Sequence, residues 1–236
     1  MSSRSKRGKQ IEKQLYKNLR RLGVPRKQIF RNIYVPKYDG KFAEVDLVVL
    51  SKKGLLVFEC KNFYGKIYGD GRKATWYKCS AGKRYPFVNP VIQNAGHIKY
   101  LLKYFHKLGL LPAYSFIVVS KNGEWITKNI NPKICFVRDF GDSRGFRGCG
   151  NSSSHGDSVN SGGFGDFMKR YRSLNNSPII AKNYNTIMSE LKSMEYGGRL
   201  IGKGFFSAPG RRWLRIRHSL SVKTNSWKWK LKGRKF

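Results

Sequence analysis

Asp46 and Glu59 are the residues of this sequence best placed to do chemistry. Each carboxylate sits at the end of an apolar run: Asp46 opens Asp46-Leu47-Val48-Val49-Leu50, and Glu59 lies near the close of Leu55-Leu56-Val57-Phe58-Glu59-Cys60-Lys61. The intervening Ser51-Lys52-Lys53-Gly54 has turn composition, with glycine where a positive φ is expected. Pairing Leu50 with Leu55 across that turn sets Asp46 opposite Glu59, with Lys61 pointing to the same face. A slip of one residue would separate the carboxylates. Facing carboxylates repel, so the arrangement makes sense chiefly with a cation between them. Magnesium takes oxygen ligands from one or two carboxylates and keeps its other positions for water and phosphate. An adjacent lysine can orient the attacking water and stabilise the charge growing on a phosphate. The chemistry is phosphodiester hydrolysis; a structural Asp-Glu-Lys cluster closing a hairpin is the alternative reading of the same spacing.

The elements that must carry these residues are legible from periodicity. Ile11, Leu15, Leu19 and Leu22 recur at helical spacing until Gly23. Strand-forming runs follow at Ile29–Val35, Val45–Leu50, Leu55–Lys61 and Gly65–Tyr68. Asn89 as N-cap and Pro90 in the first turn open a helix whose expected apolar face is Ile92, Ala95, Ile98, Leu102 and Phe105. Two further apolar runs span Tyr114–Ser120 and Ile134–Val137. A late helix opens at Ser177 and Pro178, with Ile180, Tyr184, Ile187, Leu191 and Met194 as its stripe. Gly, Ser, Asn and Asp dominate Gly141–Gly165, a flexible-loop composition. There is no internal repeat.

Charge points to the partner. Lys and Arg number 48 against 13 Asp and Glu, a net +35, which disfavours a compact chain unless something anionic binds. With 40% hydrophobic residues the chain still has the means to bury a core, so wholesale disorder is excluded. No apolar stretch is long enough for a membrane helix and no targeting segment precedes the basic start, so no membrane partner and a cytoplasmic location are expected. Cys60, Cys79, Cys135 and Cys149 are widely separated, without Cys-x-x-Cys spacing, so zinc is not expected. No Walker-type glycine loop is present, so no nucleotide cofactor is expected either.

The ordered set of Gly8-x-x-x-Glu12, Asp46, Glu59-Cys60-Lys61-Asn62, Trp76 and Asn89-Pro90-Val91-Ile92-Gln93 resembles the nuclease-related domain family of the PD-(D/E)xK restriction-endonuclease-like superfamily. Similarity is dense from about Gly8 to Leu108 and fades toward Glu195. The resemblance implies an α/β fold: a central mixed sheet flanked by helices, in α-β-β-β-α-β order. It further implies that Asp46, Glu59 and Glu12 hold magnesium, with manganese as a substitute and the Cys60 carbonyl as a further donor. Lys61 would be the catalytic lysine, and Gln93 would support the site from its helix. The superfamily's proline before the aspartate is replaced by Val45. His97 lies one turn beyond Gln93 and is read as structural or supporting.

Everything after Glu195 lacks acids, and twelve Lys and Arg lie between Arg199 and Lys235. Leu214, Ile216, Leu220 and Val222 alternate with Arg215, Arg217 and serines, and Trp227, Trp229 and Leu231 alternate with Lys228, Lys230 and Lys232. The pattern suits a two-stranded ribbon with one cationic face, or a flexible cationic tail. Arg211, Arg212, Trp213, Arg215, Arg217, Trp227, Lys228, Trp229, Lys230 and Lys232 are the candidate nucleic-acid contacts. The expected organisation is a nuclease domain at 1–196, containing the 141–165 loop, and a basic tail at 197–236. The expected function is a magnesium-dependent endonuclease acting on nucleic acid, DNA before RNA, in repair, defence or mobile-element processing. The alternative is a nucleic-acid-binding module on a nuclease scaffold with little or no cutting.

Overall fold

A computed structural model of the chain describes residues 3–37, 39, 41–120, 123–130, 135–137 and 175–202. The first helix, α1 (Ser3–Arg21), ends before Gly23, whose φ of +85° takes the chain out of the helix. Three strands follow: β1 (Ile29–Pro36), β2 (Phe42–Ser51) and β3 (Gly54–Lys61). Next come β4 (Gly65–Asp70), β5 (Thr75–Ser80) and β6 (Lys83–Val88), then α2 (Pro90–Tyr104). The described chain continues through β7 (Ala113–Val119), β8 (Gly123–Lys128), β9 (Cys135–Val137) and α3 (Pro178–Gly202).

The main sheet has the order β1-β2-β3-β7-β9, antiparallel from β1 to β3 and parallel from β3 to β9. Ile11, Leu15 and Leu19 of α1 pack on one face, with Leu56, Phe58 and Cys60 of β3. On the other face Leu55 and Val57 meet Leu101 of α2 and Ile180, Ile187, Leu191 and Met194 of α3. Burial on both faces explains why β3 reads as a near-continuous apolar run. The mixed α/β architecture expected from the sequence is therefore present, as a restriction-endonuclease-like core.

Three departures from the sequence expectation matter. A second sheet, β6-β5-β4-β8, stands beside the first, and only its β4 was anticipated. Its core of Ile67, Trp76 and Trp125, packed with Phe63 and Phe87, is shared with Ile117 and Val119 of β7. β6 escapes pattern reading because it is an exposed edge strand carrying Pro86, which an edge tolerates for want of a partner on that side. Second, Ile98, Leu102 and Phe105 of the expected α2 stripe do pack in the core, but Ile92 and Ala95 are exposed, and the most deeply buried side of the helix also carries Pro90, Asn94, His97 and Leu101. Third, α1 stops at Arg21, leaving Leu22 exposed. The Gly141–Gly165 stretch lies outside the described residues. So does the tail beyond Gly202, while α3 runs across positions 196 and 197.

Candidate active site

The β2–β3 hairpin has the expected register, from Ser51 opposite Gly54 through Leu50–Leu55 to Leu47–Phe58. The ladder ends there. Instead of pairing with Glu59, Asp46 turns its Oδ2 to accept the Cys60 N–H at 2.7 Å. The cause is a break in alternation shared with β1. Leu47 and Val49 pack toward α1, but Val45, of the same parity, packs toward α2 and α3. Likewise Ile29 packs toward α1, whereas Ile33 and Val35 pack on the opposite side. The two strands keep one register on both sides of the Asn32 and Asp46 positions, so neither gains a residue. Asn32 sits at φ +50°, a left-handed conformation that asparagine tolerates better than most residues. The backbone change thus falls directly across from Asp46.

Glu59 is almost fully buried near the end of β3, beside Ile117 of β7. Its Oε1 accepts from Lys61 Nζ at 2.5 Å, and the same ammonium donates to Gln93 Oε1 of α2 at 3.0 Å. Its Oε2 lies 3.3 Å from His97 Nδ1 of α2, within ion-pair distance. Asn94 fixes α2 in this position: its buried Nδ2 donates to Val57 O at 3.0 Å and to Ser115 Oγ at 2.8 Å, bridging β3 and β7. Asn89 fixes the helix start. Its side chain accepts the Val91 N–H at 2.9 Å and donates to Lys73 O at 2.8 Å.

The electrostatics show how crowded with negative charge the site is. Burial, then the charge of Glu59, pushes the Asp46 carboxyl up to about 8, despite the Cys60 N–H. Burial and then Glu44 also raise Glu12, on which Asp46 and Glu59 bear electrostatically as well. Burial acts upward on Glu59, but His97 and Lys61 outweigh it and hold this carboxyl below its usual range. The two carboxyls are thus pushed in opposite directions, Asp46 toward holding a proton and Glu59 toward its charged form.

The structure thus brings Glu59, Lys61 and Gln93 into direct contact, with Asp46 joined to the adjacent Cys60 backbone and Glu12 within electrostatic reach. Arg211, Arg212, Trp213, Arg215, Arg217, Trp227, Lys228, Trp229, Lys230 and Lys232 lie outside the described residues. Sequence reasoning gave Asn94 no role, although an asparagine one residue after Gln93 on the expected helix was its available signal. The donor set suits a hard divalent cation: two carboxylates close enough to raise the proton affinity of Asp46, a repulsion that a bound cation would relieve. Among the described residues no three His, Cys, Asp or Glu side chains form a ready-made metal cage, so such an ion would draw its remaining ligands from backbone, water and phosphate. No helix among them is long and apolar enough to cross a membrane.

Comparison with known proteins gives three findings. The family model described as nuclease-related domain matches residues 7–136, more than half of the chain. An uncharacterized protein of Bacillus anthracis is 33% identical over 93 residues, covering 39% of this chain and 44% of that protein. The match thus spans less than half of the curated relative's length. No solved structure matches the chain.

Proposed function

Because the chain belongs to the nuclease-related domain family, we propose that it is a magnesium-dependent endonuclease hydrolysing phosphodiester bonds of nucleic acid, DNA in the first instance. The observation that carries the proposal is the placement of Lys61 Nζ between Glu59 Oε1 and Gln93 Oε1, at the strand end where Asp46 leaves the ladder. Lys61 is positioned to contact a phosphate oxygen and to orient the attacking water. Gln93 holds its ammonium in place from α2, and Asn94 holds α2. Asp46 and Glu59 would hold the ion, with Glu12 and the Cys60 carbonyl in support. The ion would supply Lewis-acid polarisation of the phosphate and an easier deprotonation of water. Asp46 and Glu59 would both be charged as ligands to the ion.

The test is cleavage of single-stranded DNA, double-stranded DNA and RNA by the purified protein, with magnesium, with manganese and with EDTA. Metal-dependent cutting that is lost in both Asp46→Ala and Lys61→Ala is expected. Cutting that survives both substitutions would overturn the site assignment. Binding without cutting by the wild type under every metal condition would favour a nucleic-acid-binding module on the same scaffold.

A further inference from the structure

The small sheet carries a surface that the hydrolytic site does not use. β5 and β6 join through Ala81 and Gly82, at φ +49° and +71°, which is the two-residue turn that matches strand twist. The turn fixes the register: Ser80 opposite Lys83, Lys78 opposite Tyr85, and Trp76 opposite Phe87. Ile67 of β4 in turn lies opposite Lys78. One face of the hairpin therefore has an inner half buried around Ile67, Trp76 and Trp125, and an outer half made of Lys78, Ser80, Lys83 and Tyr85. No carboxylate interrupts that outer half. On the opposite face, Lys66 and Lys128 have the carboxylate residues Glu124 and Asp70 as their register partners across β4 and β8.

This outer half runs on from the candidate site. Phe63 is two residues past Lys61, and its ring packs on Phe87 with centroids 4.7 Å apart. The Lys78 ammonium stands 5.8 Å from the Phe63 ring and 5.3 Å from the Tyr85 ring. Tyr85 is 44% exposed, so its ring is open to a ligand beside Lys78. Alternating cations and aromatic faces are what an unpaired nucleic-acid strand binds: phosphates meet the cations and splayed bases stack on the rings. In a duplex the bases are already stacked on each other, so Tyr85 would have nothing to receive.

We infer that the β5–β6 hairpin is a docking arm for an unpaired stretch of the substrate strand leading away from Lys61, with Tyr85 stacking on a base and Lys78 contacting a phosphate. The inference rests on the nuclease reading above and specifies the form of its substrate. It is tested by fluorescence anisotropy on the full chain in EDTA, with a labelled oligothymidylate and a labelled blunt duplex as probes. Tyr85→Ala is expected to weaken oligothymidylate binding about tenfold while changing duplex affinity by less than about twofold, and Tyr85→Trp to restore it. Tyr85→Thr, which keeps strand propensity without a ring, should behave as Tyr85→Ala does. Lys78→Ala should weaken both probes and lower the salt dependence. Unchanged oligothymidylate affinity in both ring-deleting variants, or equal losses on the two probes, would overturn the inference. Because EDTA removes any cleavage, that failure leaves the nuclease reading standing. Conversely, a protein that never cuts yet shows the Tyr85 selectivity would retain the arm and lose the enzyme.

Discussion

Replacing Asp46 by Asn should make the metal-free protein more stable while removing its proposed activity. Asp46 holds a carboxyl whose proton affinity has been lifted from 3.8 to about 8 by burial and by Glu59. At pH 7 a group so shifted costs at most about 4 kcal/mol of folding stability, at 1.36 kcal/mol for each pKa unit between its ordinary value and the working pH. Asp46 is partly exposed and shares its shift with Glu59, which reduces the realised cost to about 1–2 kcal/mol. Asparagine keeps an oxygen for the Cys60 N–H and carries no charge, so Asp46→Asn should raise the melting temperature by about 3–6 °C at pH 7 in EDTA. The sign with pH follows. A folded pKa raised above the unfolded one leaves stability whole below about pH 4 and drains it as pH climbs toward 8. The gap between variant and wild type should therefore be near zero at pH 4 and widest at pH 8 and above. Added magnesium should reverse the order, since only the wild type gains from an ion that binds the folded state. Thermal melts by circular dichroism across pH 4 to 9, with EDTA and with magnesium, measure all of this. A variant no more stable than wild type at pH 8 in EDTA would refute the claim that the site is strained by its own charge.

Four further outcomes are expected. Lys61→Ala should abolish cleavage and also lower stability by about 3 kcal/mol, because it leaves Glu59 buried without its ammonium partner; denaturant melts of the single variant and of Glu59→Gln/Lys61→Ala, which should recover part of the loss, check it. Asn89→Ala should cost about 1–2 kcal/mol by removing the α2 cap and the tie to the 70–73 loop together, read in the same melts. Gly69→Ala should destabilise the small sheet, since a Cβ there runs into the Trp76 ring, and the indole fluorescence should report the displacement. Deleting residues 203–236 should flatten the dependence of nucleic-acid affinity on salt, each lost phosphate contact reducing the log–log slope by roughly 0.7 to 0.9; an unchanged slope would place the contacts in the domain.

The residues that could be read from sequence were those whose surroundings obey simple periodicity. Leu47–Leu50 and Leu55–Phe58 are apolar because both sheet faces are covered, and Gly54 marks the turn, so the hairpin and its register follow. α3 announces itself through Pro178 and a stripe that is indeed buried. α2 was legible in its cap and in Ile98, Leu102 and Phe105, but it also buries Asn94 and His97, which are held by bonds to β3 and β7 and a place against Glu59, and no hydrophobicity pattern records that. β5 and β6 were missed because an arm displaying Lys78, Arg84 and Tyr85 to solvent lacks an alternating apolar face over most of its length, and Trp76 alone was too little signal. The Leu50–Leu55 register was anticipated from the turn, but the expected pairing of Asp46 with Glu59 is replaced by the swing of Asp46 onto the Cys60 N–H, across from the left-handed backbone of Asn32, fourteen residues earlier on the neighbouring strand.

The shared interruption at Asn32 and Asp46 behaves like a dislocation in a crystal: because both rows shift phase at the same point, the order on either side is intact and only the junction is irregular. Such a defect cannot be healed from one side. A change that straightened β1 alone would throw Ile33 and Val35 out of the apolar layer under α3 while leaving Val45 within it, and straightening β2 alone would do the converse. Drift of single residues is therefore blocked from returning this corner to a plain sheet, and the carboxylate stays where the two rows change step.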